Sequence, residues 1–189
     1  MKFAFADDAV FLIEKDELVT GRDGVKACEC VVRISEKAAL IEAKSSSPSP
    51  KSDDKYQEFF DDIREKFISS LNMFCQMRTG EYGENALNRL PEGLRSYPID
   101  SENYAIYLIV HGNELDWMPG LQNTLQETLR DVIGQWNISD TNVKALNHEM
   151  AQTLHLIVDF VPINERDAIE AASQDSEERR RLARKYLGM

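Results

Sequence analysis

The sequence predicts an α/β fold: a mixed sheet that begins as an N-terminal antiparallel meander and carries flanking helices. Three observations predict it. Short apolar runs with β-branched residues, separated by turn residues, fill the first 44 positions. Apolar residues spaced three and four apart follow over 54–77, the period of a helix with one buried face. Tyr104–Val110 is then apolar without interruption, as befits a strand buried on both faces.

Residues 10–15 read as the first strand, with Lys15-Asp16-Glu17 and Gly21-Arg22-Asp23-Gly24 as turns after it. Residues 25–34 read as the second strand, with Cys28, Cys30, Val32 and Ile34 on its apolar face. Glu29 interrupts that run, where β-propensity disfavours a carboxylate. Ser35-Glu36-Lys37 turns a hairpin into the third strand, Ala39-Leu40-Ile41-Glu42-Ala43-Lys44. Alternation along that strand places Leu40, Glu42 and Lys44 on one face and Ala39, Ile41 and Ala43 on the other. Hairpin pairing then brings Glu29 toward Glu42, so two carboxylates and a lysine meet on adjacent strands.

The serine- and proline-rich stretch 45–53 starts directly after Lys44 and reads as an exposed linker; contact with a phosphate is its functional reading. The helix over 54–77 buries Phe60, Ile63, Phe67, Leu71 and Phe74. Asp53 or Asp54 is placed to cap it, and Asp61, Asp62, Arg64 and Glu65 are assigned to its water-facing side. Gly80 and Gly83 break it, and a short helix is expected over 84–90. The rest of 80–102 has no clear period and suggests no function.

His111 ends the Tyr104–Val110 strand, a place where sites occur in α/β sheets, and Glu114 and Asp116 follow it. A structural role for a lone histidine there outweighs a metal role. Pro119 opens a second long helix whose apolar face runs through Leu121, Leu125, Leu129, Val132, Ile133 and Trp136. A short strand over 143–147, a helix over 148–155, a strand over 156–161 and a charged helix over 165–187 complete the chain. Arg179, Arg180, Arg181, Arg184 and Lys185 form a basic cluster on that last helix, suited to nucleic acid or an acidic partner. Asp175, Glu177 and Glu178 precede it, so a solvated helix paired at i,i+4 is the simpler reading.

At 189 residues, the whole span 1–189 is expected to form one domain. No stretch approaches the ~18 uninterrupted apolar residues of a membrane span, and Asp7 and Asp8 do not suit a signal peptide. The expected location is cytoplasmic, without membrane partners. Cys28, Cys30 and Cys75 lack metal or redox spacing and read as reduced thiols. A net charge of −11 opposes tight non-specific DNA binding. Residues 1–51, with eight basic and nine acidic side chains, are nonetheless nearly neutral.

Glu29 on one strand, then Glu42-Ala43-Lys44 on the next, resembles the motif of the PD-(D/E)xK nuclease superfamily. By motif the resemblance covers roughly the first third of the chain, and the following helix and strand agree in order. It implies a restriction-endonuclease-like fold and a nuclease that hydrolyses phosphodiester bonds with Mg2+ or Mn2+. It also implies catalytic roles for Glu29, Glu42 and Lys44, with Glu29 and Glu42 as metal ligands and DNA or RNA as substrate. Glu29 stands where the family usually has Asp, no Pro precedes it, and no helix with a further Glu is evident before it. These departures suit an alternative: a catalytically inactive module of the same fold, acting as a protein-interaction subunit, a regulator or a homodimer. The structural alternative at the motif is a Glu29–Lys44 ion pair across the hairpin.

Overall fold

The computed structural model describes residues 2–5, 9–96 and 103–158. Its frame is a five-stranded mixed sheet in the order β2-β3-β4-β5-β6. These strands are β2 (Val10–Phe11), β3 (Cys30–Ile34), β4 (Lys37–Lys44), β5 (Tyr104–Val110) and β6 (Val143–Asn147). The first three are antiparallel, and β4, β5 and β6 are parallel. The expected meander is therefore present, and the sheet changes sense at β4. A separate antiparallel pair joins β1 (Lys2–Phe3) to β7 (Ile157–Val158).

Parallel neighbours need long crossovers, usually helical. The first runs from β4 to β5 through α2 (Asp53–Arg78), α3 (Glu84–Arg89) and α4 (Glu92–Arg95). The second runs from β5 to β6 through α5 (Met118–Thr128) and α6 (Arg130–Gln135). With α1 (Glu17–Thr20) and α7 (His148–Thr153), seven α-helices lie among the described residues.

The helix α2 buries Phe60, Ile63, Phe67, Leu71 and Phe74 completely or nearly so, as its spacing requires. Each such side chain contributes about 1.5–3 kcal/mol on leaving water. Ser52 is the N-cap and makes no side-chain cap bond; Asp53 and Asp54 sit in the first turn, where their charge favours the helix dipole. The capping expected of those aspartates is thus corrected to a charge effect.

Further boundaries differ from expectation, and the third strand begins at Lys37, paired with Ile34, not at Ala39. Only Val10–Phe11 pairs as a strand, and Ile13–Lys15 tightens into a 3-10 turn that buries Ile13. The second strand begins at Cys30, not at residue 25, because the Cys28 N–H bonds to the Ser70 hydroxyl of α2 instead of a strand. The helix expected from Pro119 to Trp136 is broken at Leu129, where φ is −98° and ψ is 7°. Leu125, Leu129 and Val132 remain buried on both sides of the break. Of the strand expected over 156–161, only Ile157–Val158 is described, and it pairs with β1 outside the main sheet. The expected helix 165–187 and its arginine cluster lie outside the described residues.

Candidate functional site

The hairpin between β3 and β4 is closed by Ser35 and Glu36, with Ser35 at φ 53°. Its register pairs Cys30 with Ile41, so Glu29, one step beyond, falls opposite Glu42. On β4, Glu42 and Lys44 both reach toward α2, as period two demands.

Glu42 is 1% exposed. Its Oε1 accepts from Lys66 Nζ of α2 at 2.6 Å and pairs with Lys44 Nζ at 3.1 Å. Its Oε2 is buried and has no hydrogen-bond partner. A buried carboxylate oxygen without a donor is costly, so this atom marks a place where a cation would be favoured. Lys44 continues to Asp62 Oδ2 at 3.3 Å. Asp62 Oδ1 pairs with Lys26 Nζ at 2.9 Å, and the same ammonium reaches Glu65 Oε2 at 2.8 Å. Charges of alternating sign thus run from Lys66 through Glu42, Lys44, Asp62 and Lys26 to Glu65.

Burial pushes the Glu29 carboxyl up to about 7, and the charges of Glu42 and Glu14 add to this against a smaller opposing effect of Lys66. Glu29 and Glu42 therefore feel one another, as two carboxylates facing one site do. Burial works against the Lys44 ammonium, but Glu42 and Asp62 outweigh it and hold its pKa above the ordinary lysine value. Burial likewise disfavours the Asp62 carboxylate, yet hydrogen bonds from Lys26 and Lys44 keep its pKa below the usual range.

The structure brings Glu42 and Lys44 into contact and sets Glu29 opposite Glu42. Among the described residues no ion pair joins Glu29 to Lys44; Lys44 is held by Glu42 and Asp62 instead. Asp62 and Glu65, assigned to water from the sequence, belong to this network, and Asp62 is half-buried. Lys66 was not anticipated. Its signal is the i,i+4 spacing from Asp62, which places both on the α2 face above β4. Glu14 also emerges, on the 3-10 turn before the hairpin, within electrostatic reach of Glu29.

His111 does not join this group. Its ring lies 4.4 Å from that of His148, and both line a cleft of about 610 Å³ with Glu114, Asp116 and Glu149. Among the described residues no three His, Cys, Asp or Glu side chains converge as a metal-holding group. The two carboxylates of the hairpin, Glu29 and Glu42, fall short of such a group. Cys28 and Cys30 are buried free thiols, as expected, and Cys75 is half-buried. No helix among the described residues is long and apolar enough to cross a membrane. Comparison with family models, with curated proteins and with solved structures found no match.

Proposed function

We propose that this chain is a divalent-metal-dependent nuclease of restriction-endonuclease-like fold, with its site at the C-terminal end of β4. One observation carries the reading: Glu42 Oε2 is buried without a donor, and the Glu29 carboxyl opposite it is raised to about 7. A bound cation would relieve both. The antiparallel β2–β3–β4 meander, the α2 crossover and the parallel β5 also follow the order that the motif implies.

Glu29 and Glu42 are the residues that would hold Mg2+ or Mn2+. When bound, such an ion supplies Lewis acidity toward a phosphoryl oxygen and a more acidic water. Lys66 neutralises one oxygen of Glu42 and fixes the carboxylate's orientation. Asp62 holds Lys44 at the rim, where its ammonium donates to negative charge that develops on the phosphoryl oxygens. Glu29 gives up its proton near neutrality, which ties site assembly to pH.

A second reading has its own observation. Glu42 Oε1 is shared by two ammoniums, and Lys44 is shared with Asp62, so the site is largely compensated without an added cation. That arrangement favours the catalytically inactive module, acting through a protein partner or a second copy. Cleavage of end-labelled single- and double-stranded DNA and RNA in Mn2+ separates the two. Products formed by the wild type and lost in Lys44→Ala support the nuclease. Intact substrates throughout, with Mg2+ or Mn2+, overturn it in favour of the second reading.

A further inference from the structure

The serine-rich loop after β4 is tied to the segment after β5. The His111 N–H donates to the Lys44 carbonyl at 2.9 Å, and the Gly112 N–H to the Ser45 carbonyl at 2.9 Å. Asn113 then accepts from the Ser47 N–H and donates to its hydroxyl at 2.7 Å. Gly112 belongs to this seam by necessity, since a Cβ there would stand 2.9 Å from the Ser45 carbonyl oxygen. The two segments thus leave the sheet as one body and enclose a cleft of about 320 Å³.

Its lining combines Trp117, Tyr56, Lys51, Asp116 and Gly120. Trp117 is 47% exposed, and among the described residues only Leu12 is another large hydrophobic side chain so open to water. Tyr56 is fixed in place, with its hydroxyl 3.3 Å from Thr124 and its ring packed edge-on against Phe60. Among the described residues no carboxylate pairs with the Lys51 ammonium. An open indole, a fixed phenol and an unpaired cation on one wall system form the combination that takes a flat π-face with a phosphate beside it. Asp116 adds an acceptor for an amino group on the edge of a base.

We propose that this cleft is a stacking subsite for an unpaired base of a single-stranded polynucleotide, seated on Trp117 with its phosphate toward Lys51. The assignment rests on the nuclease reading, because it names the substrate class for that site. The position suits it. Ser47 of the cleft lining follows Lys44 by three residues on the same loop, at most about 11 Å of extended chain. That is about three stacked bases at ~3.4 Å each, so a strand held at Trp117 would pass Lys44 a few nucleotides on. A base within a duplex offers no free face, so the cleft selects single strands or frayed ends.

The test uses the full chain in EDTA at low salt, where no metal-dependent cleavage occurs. A short, dye-labelled single-stranded oligonucleotide is titrated while its fluorescence anisotropy is followed for every variant, with indole emission read in parallel in the wild type. Quenching in the wild type is expected, with affinity weakened roughly tenfold or more in Trp117→Ala. Gly120→Leu supplies a second variant, because a Cβ at Gly120 meets open space and so can fill the cleft without disturbing the fold. It is expected to weaken the oligonucleotide to a similar degree with its melting temperature unchanged or raised. A duplex of the same sequence, or a mononucleotide, binding as tightly as the single strand overturns the proposal. Unchanged affinity in both variants does so as well. Should metal-dependent cleavage persist while quenching is absent, the stacking subsite fails and the nuclease stands. Quenching without cleavage in Mn2+ retains the subsite and removes the nuclease.

Discussion

Lys66 Nζ lies 2.6 Å from Glu42 Oε1, joining the middle of α2 to the buried end of β4. Removing one partner of such a pair strands the other charge away from water. Lys66→Ala is predicted to destabilise the fold by about 3–5 kcal/mol. Because Lys44 remains beside Glu42, the loss should fall toward the lower end. Replacing both partners by apolar residues, as in Glu42→Leu with Lys66→Met, should recover most of it. Urea midpoints of the single and double variants check this.

Lys44→Ala should abolish cleavage while leaving cation binding in place. Under the proposed nuclease reading Lys44 is no ligand, and its contribution is to the transition state. Glu42→Ala should lose both cleavage and binding. Thermal shift with and without Mg2+ reads the distinction, since an ion that binds only the folded state raises the melting temperature. A Mg2+ shift in Glu42→Ala equal to that of wild type would contradict the assignment.

The Glu29 carboxyl sets a pH dependence whose sign follows from its direction. Its pKa is about 7 in the fold against ~4.3 in an unfolded chain, so the folded state binds the proton more tightly. The corresponding stability is fully present below the unfolded value and is lost as pH rises through about 7. Glu29 is half-buried, and solvent screening reduces the effect to on the order of 1 kcal/mol. Glu29→Gln should flatten this fall between about pH 4 and 7. Denaturant titrations across that range test it.

Ser70 accepts the Cys28 N–H at 2.8 Å in the interior, one residue before Glu29. Ser70→Ala leaves that amide buried without a partner, at a cost of about 1–3 kcal/mol. Under the proposed reading it should also lower cleavage, because the segment that places Glu29 loses its tie to α2. Equal stability of the alanine variant would show that the amide finds another partner.

Much of this arrangement is legible in the sequence, and the limits are physical. Strong periodicity exposes α2, and seven unbroken apolar residues expose β5 with its bounds. The hairpin is legible because Ser35-Glu36 separates two strand-like runs, and its register puts Glu29 opposite Glu42. Local pattern does not reveal which charged residues of α2 turn inward. Asp62 and Lys66 look solvated because their partners, Lys26, Lys44 and Glu42, are far away in the chain. The 3-10 turn with Glu14 and the break at Leu129 are likewise set by tertiary burial of Ile13 and Leu129, not by turn residues.

Glu29 and Glu42 are the proposed ligands of a divalent cation. Calorimetric titration of Mn2+ into the wild type, Glu42→Ala and Glu29→Gln at neutral pH tests this most directly. One saturable site is expected in the wild type, no binding in Glu42→Ala and weakened binding in Glu29→Gln, with proton release that grows as pH falls below about 7. No saturable binding by the wild type, or equal binding by Glu42→Ala, would contradict the proposed ligand set.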